Sequence, residues 1–252
     1  MAHDQLWYSF ALQMGDSALV HGHRLSEWCG HGPILEQDIA ITNIALDLVG
    51  QSRNWLQWAA ELQGEGKTED DLAYFRDTVA YRNVLLAEQP NEDWAYTIIR
   101  LLLYSVSNYE LHQALTKSPH PHVAAIAIKS LKEITYHLRY ASEWTIRLGD
   151  GTATSHHKMQ RALDDRWRFW EEFLTPSDTE QALIAAGQLP DYSPLLANAK
   201  ARLLSVLERS TLSIPTDPFQ QLGGKTGQHT EHLGVLLAVM QVLPRTHPEA
   251  EW

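Results

Sequence analysis

The stretch "ITNIALDLVGQSRNWLQWAAEL", Ile41 to Leu62, decides the fold class. Its apolar positions Ile41, Ile44, Ala45, Leu48, Trp55, Ala59 and Leu62 follow steps of three and four, the repeat of one helix face. No alternating strand pattern occurs anywhere, and the same helical period recurs on both sides of this stretch. A first helix is predicted from about Gln5 to Trp28, ending where "CGHGP" supplies Gly30, Gly32 and Pro33. The second runs from about Leu35 to Leu62. A third opens after Pro90 with Asn91 as N-cap and Glu92 and Asp93 in its first turn, and it continues to about Lys117. A fourth spans about His122 to Leu148, with Gly149 placed to close it. Shorter helices follow: about Ser155 to Leu174, one opened at Ser177 by a capping box to Glu180, one opened by Ser193-Pro194, and a last in "EHLGVLLAVMQVL". The expectation is an all-α protein with four helices of about 36 to 42 Å, arranged as a bundle of two antiparallel pairs.

Composition bounds the function. With 252 residues the chain is long enough for one large domain. We expect a single domain over 1–252, with a core bundle at about 5–174 and further helices at about 175–252. A net charge of −11 lacks the basic face that phosphate contacts require, so no nucleic-acid partner is expected. The lone Cys29 excludes a disulfide frame and a cysteine metal cluster. "MAHDQLWYSF" has neither the basic start nor the apolar run of a signal peptide, and no run approaches about 18 apolar residues. A soluble cytoplasmic protein without a membrane span is the expectation.

Polar residues in long helices raise the question of metal. A carboxylate-bridged dimetal centre in a bundle needs Glu-x-x-His pairs on inward faces. None of the thirteen histidines has an acid three residues before it. Asn43, Asp47, Gln51 and Asn54 form a polar stripe, but Gly50 stands three residues after Asp47. Glu133 is followed three later by Tyr136, with His137 displaced by one. Glu133 and His137 still share a face, so a single-metal site and a buried hydrogen-bond network both remain open. His112, in line with Ile98, Leu101, Ser105 and Asn108, reads as a core histidine. In "DDRWRFWEEF", Trp167 and Trp170 share one stripe and Phe169 and Phe173 another, which suits either a core or an interface.

"GGKTGQHTEHLG", Gly223 to Gly234, is not a phosphate loop, since Phe219 stands where the first glycine belongs. His229 and His232 share a helix face without a nearby third ligand.

Six stretches together resemble one family. They are "LSEWCGHGP" at 25–33, "NIALDLVGQSRNWL" at 43–56, "LLAEQPN" at 85–91, "EITYHLRYASEW" at 133–144, "RLGDGT" at 147–152, and "GGKTGQHTEHLG". The chain resembles the family of C subunits of the multicomponent phenylacetyl-CoA 1,2-epoxidases of phenylacetate catabolism. The resemblance implies a ferritin-like bundle without a metal or cofactor of its own, acting as a non-catalytic structural partner. The diiron centre then belongs to the catalytic A subunit, with a B subunit and an NADPH-dependent reductase completing the complex. Asp47, Gly50, Glu133, Tyr136 and His137 then read as positions of a degenerate metal site. It further implies contacts with the phenylacetyl-CoA ester at Glu36, at Ala80, Tyr81, Arg82 and Asn83, and at Glu180, Gln181 and Ala182. Arg82 suits CoA phosphates, and Tyr81 suits stacking on adenine. Lys225, His229 and His232 are expected to meet the catalytic subunit or the CoA moiety. A self-sufficient metal enzyme and a stand-alone CoA-ester binder are the competing readings.

Overall fold

The computed structural model describes residues 2–217 and 219–250, and its regular elements are all helical. The chain packs as two compact units, one from residues 1–90 and 223–252, the other from residues 91–222. The first unit holds α1 (Ala2–Ser26), α2 (Leu35–Gln63), α3 (Glu69–Tyr74) and α4 (Leu85–Glu88). The returning C-terminal segment adds α10 (Glu231–Met240) and α11 (Val242–Thr246) to it. The second unit holds α5 (Trp94–Leu115), α6 (Pro121–Gly149), α7 (Ala153–Trp167), α8 (Asp178–Ala185) and α9 (Tyr192–Arg209). Each unit is organised on one long antiparallel pair, α1 with α2 and α5 with α6. No helix among the described residues is long and apolar enough to cross a membrane.

The period read in α2 has its physical counterpart in burial. Ile41, Ile44, Ala45, Leu48, Trp55 and Ala59 are all buried, whereas Leu62, at the end of the helix, is half-buried. Trp55 meets Phe10 edge-on at 5.7 Å between ring centroids, and Trp58 lies 5.6 Å from Trp7. Such aromatic contacts add about 0.5–1.5 kcal/mol each beyond area burial. α5 is buried along almost its whole length, and His112 is a core residue, its Nδ1 3.0 Å from the Asn108 carbonyl oxygen. Burial lowers its pKa to about 4, so the ring is neutral near pH 7.

Several helix ends differ from expectation. Asp93, not Asn91, caps α5, its carboxylate accepting from the Ala95 and Tyr96 amides. Asn91 is instead an acceptor for the Arg100 guanidinium. The helix expected over 155–174 stops at Trp167, and Glu171–Leu174 form a separate 3₁₀ turn. The break lets Trp170 turn inward, where its indole N–H donates to Ser107 Oγ at 3.0 Å. Trp170, Phe169 and Phe173 are core, while Trp167 is half-buried. Asp191 caps α9 in place of Ser193. α3, unforeseen, is opened by a capping box between Thr68 and Asp71.

Gly149 does not close α6 by a left-handed turn; it is the last helical residue, and a Cβ there would run into the Ser210 carbonyl oxygen. A Cβ at Gly50, on the outer side of α2, would meet nothing within 4 Å. Urea unfolding should therefore separate them. Gly149→Ala is expected to lose about 2 kcal/mol through overpacking. Gly50→Ala is expected to gain up to about 1 kcal/mol through helix propensity.

Candidate functional site

The glycine-rich stretch after residue 222 is laid onto the backbone of residues 79–85. Gly224 to Thr226 make one 3₁₀ turn, and Gly227 follows with φ +88°, a left-handed value that suits glycine. A Cβ on Gly224 would strike the Asn83 carbonyl oxygen, and one on Gly227 would come within 2.5 Å of the Val79 carbonyl oxygen. Only glycine allows this approach, and it delivers the next residues to a buried carboxylate.

That carboxylate is Glu88, fully buried at the end of α4. Its Oε1 accepts from the Thr230 amide at 2.7 Å and the Thr230 hydroxyl at 2.8 Å. Its Oε2 accepts from Asn83 Nδ2 and stands opposite His229 Nδ1, each at 2.8 Å. Four donors saturate an ionised carboxylate. Thr230 is also the N-cap of α10, so the anion sits where the helix dipole favours it. The other ring nitrogen of His229, Nε2, faces the Tyr81 carbonyl oxygen at 3.0 Å. Both ring nitrogens thus face acceptors, an arrangement that favours the doubly protonated imidazolium over the neutral ring. Burial alone pulls its pKa down, but the hydrogen bond to Glu88 and its charge outweigh that and leave it raised.

Two further charged groups tie the same segments together. Arg24 of α1 donates Nε to the Glu88 carbonyl and Nη2 to the His232 carbonyl, each at 3.0 Å. Asp16 of α1, fully buried, pairs with Arg76 and accepts the Arg82 amide at 2.8 Å. The Tyr81 hydroxyl donates to the Ala73 carbonyl, while Arg76 covers its ring at 4.4 Å. Within this cluster Asp16 is paired with Arg76, Arg24 with Glu27, and Glu88 with His229. The arrangement is a joint that fastens residues 223–241 to the rest of their unit.

Removing one member of a buried pair typically costs about 3–5 kcal/mol. A raised histidine pKa stabilises fully below the unfolded value of about 6.5 and ceases to do so as pH rises through the folded value. The stability gap between the native chain and His229→Gln, measured by urea unfolding, should therefore be widest near pH 6 and shrink toward pH 9. A gap that widens with pH would show that the ring is held neutral.

The residues singled out from the sequence are placed as follows. His229 points inward, its side chain 2 % exposed, and Lys225 is 7 % exposed. An outward contact through either side chain, as the sequence suggested, would require the joint to open. His232 is half-buried. Tyr81 is fully buried and presents no ring face for stacking on a base, contrary to expectation. Asn83 is buried on Glu88, while Ala80 and Arg82 are half-buried. Arg82 directs Nη1 at the Val79 and Tyr81 carbonyls. Glu36 is exposed in the first turn of α2. In the other unit, Glu180 is buried, accepting the Ser177 amide and the Tyr192 hydroxyl, with Gln181 and Ala182 exposed beside it. Asp47 is half-buried and Gly50 exposed; Glu133 is half-buried, Tyr136 is 39 % exposed, and His137 is buried. Among the described residues no three His, Cys, Asp or Glu side chains converge as a metal would need. Sequence reasoning missed Glu88, Thr230, Arg24 and Asp16. Their partners are distant in the chain, and no local spacing signals them.

The profile of the family described as "Phenylacetic acid catabolic protein" matches residues 2–252. The chain is also 44 % identical over 244 residues to the C subunit of the 1,2-phenylacetyl-CoA epoxidase of Escherichia coli (strain K12), covering 97 % of this chain and 98 % of that protein. With a match of that extent and a wholly helical fold, the chain belongs to the phenylacetic acid catabolic protein family.

Proposed function

We propose that this chain is the non-catalytic structural subunit of a cytoplasmic, multicomponent diiron phenylacetyl-CoA 1,2-epoxidase in aerobic phenylacetate degradation. In this reading it stabilises the catalytic A subunit, which holds the diiron centre. A B subunit and a reductase delivering electrons from NADPH complete the assembly. The observation that carries the reading is the outer face of α2. Leu35 is 72 % exposed, Ile39 53 %, Leu46 64 % and Val49 39 %, along a helix whose opposite face is core. From Leu35 to Gly50 that face runs about 22 Å at 1.5 Å per residue. A row of exposed large apolar side chains along one helix face, interrupted only by Thr42, is the kind of surface that suits an interaction site. Gly50 belongs to the argument, since a mid-helix glycine costs up to about 1 kcal/mol and nothing among the described residues crowds it. Close approach of a partner helix accounts for it.

Arg82 supports a supplementary role toward the CoA ester. Among the described residues it has no carboxylate partner in an ion pair, so its charge is available to a phosphate group. Glu36 stands at the start of the α2 face, and the Glu180–Ala182 segment is the remaining part of the expected ester contact.

The decisive experiment is affinity capture of the catalytic subunit by this chain from a co-expressing host. Ile39→Glu with Leu46→Glu is expected to abolish capture while leaving the melting temperature of the free chain within a few degrees. Undiminished capture would remove α2 from the interface. Two irons bound per purified chain, by elemental analysis, would overturn the non-catalytic assignment. In the intact complex, Arg82→Ala is expected to raise the KM for phenylacetyl-CoA about tenfold, corresponding to one charge-assisted contact.

A further inference from the structure

In the second unit α5, α6 and α9 converge on a cleft of about 550 Å³, inside the range of about 300–1,000 Å³ typical of small-molecule sites. Its lining belongs wholly to residues 110–209, so it is separate from the exposed face of α2. Leu138 of α6 and Val206 of α9, both nearly buried, close its bottom.

Glu110 of α5 decides what the cleft takes. Its side chain is only 4 % exposed, and Oε1 accepts from both Nε and Nη2 of Arg202, at 3.0 and 2.8 Å. Arg202 is in turn held over the Tyr109 ring, 4.7 Å from its centroid. Both bonds therefore go to one oxygen. Oε2 makes no hydrogen bond among the described residues, and a carboxylate so far removed from water is costly to leave half satisfied. A ligand O–H or N–H meets that requirement, whereas a second anion at Oε2 is repelled.

Arg209 supplies the other end. It follows Arg202 by seven residues on the same face of α9, about 10 Å along the axis at 1.5 Å per residue. It is exposed, and among the described residues it forms no hydrogen bond or ion pair. The Glu110–Arg202 pair cancels, so the lining carries one positive charge in excess, in a chain whose net charge is −11. A guanidinium without a carboxylate of its own matches a ligand carboxylate through two parallel bonds. Ser205 lies between the two arginines and offers its hydroxyl to the middle of the cleft.

We propose that this cleft binds a small organic anion with one carboxylate at one end and a hydroxyl or amide N–H at the other. The carboxylate pairs with Arg209, the donor reaches Glu110 Oε2, and the chain between them lies over Leu138 and Val206.

The test titrates the full chain with 5-hydroxypentanoate, followed by ligand-observed NMR. Saturable binding with a dissociation constant of about 1 mM or tighter is expected, within what a ligand of this size can reach. Pentanoate lacks the donor, and glutarate puts a second carboxylate in its place; each should bind at least fivefold more weakly. Arg209→Gln, at an exposed position, should weaken 5-hydroxypentanoate at least tenfold while circular dichroism and melting temperature stay unchanged. Glu110→Gln keeps the shape but removes the repulsion, so glutarate should then bind at least as well as the hydroxy acid. A purely structural Glu110 would produce no such reversal. Absence of saturable binding overturns the proposal. So does binding indifferent to Arg209→Gln, glutarate matching the hydroxy acid on the native chain, or a preference that Glu110→Gln leaves unaltered.

Discussion

A carboxylate removed from water must find donors inside the protein or forgo its charge, and Glu88 finds four. Two of them come from Thr230, one from His229 and one from Asn83. The requirement reaches across more than 140 positions of sequence and dictates how the C-terminal segment lies. The glycines at 224 and 227 follow from it, because only a backbone without Cβ comes close enough to residues 79–85. Arg24 and Asp16 then extend the same logic to α1, each charge anchoring a further segment. Buried ionic networks of this kind add little stability over an apolar core, but they enforce one arrangement because a partial network is costly. The glycine-rich stretch is therefore a fastening, and the pKa of His229 is raised by the carboxylate it fastens.

How much of this was legible in the sequence depends on the distance over which each signal acts. α2 was readable because Ile41, Ile44, Leu48 and Trp55 repeat at helix period, and the Ser177–Glu180 capping box because its partners are three residues apart. Asp93 displaced Asn91 as a cap because Asn91 was needed by Arg100, further along the chain than any capping rule reaches. The helix predicted over 155–174 was cut at Trp167 because burying Trp170 against Ser107 outweighs the last turn of helical bonds, and Ser107 lies 63 residues away. Gly149 was read as a helix stop, though its constraint is the Ser210 carbonyl. The candidate site was the least legible part. His229 and His232 looked like a pair on one face, whereas His229 belongs with Glu88 and His232 contributes its carbonyl to Arg24.

The long helices are also unequal in what surrounds them. α5 is buried nearly all round, as a helix apolar on every side should be. α2 is covered by its own unit on one side, while Leu35, Ile39, Leu46 and Val49 stand among polar residues on the other. In a free chain Leu35, Ile39 and Leu46 on the other face stay exposed to solvent.

The discontinuity of the first unit has a consequence for how the chain is made. Residues 91–222 form a unit whose every element is contiguous in sequence, so it has all its parts as soon as they leave the ribosome. The unit that starts earlier must wait. Until residues 223–241 are synthesised, Glu88 lacks three of its four donors, and α1 and α2 pack beside an unfinished joint. The segment translated first is thus the last to be completed, and a chain ending before residue 223 would leave Glu88 with Asn83 alone of its four donors.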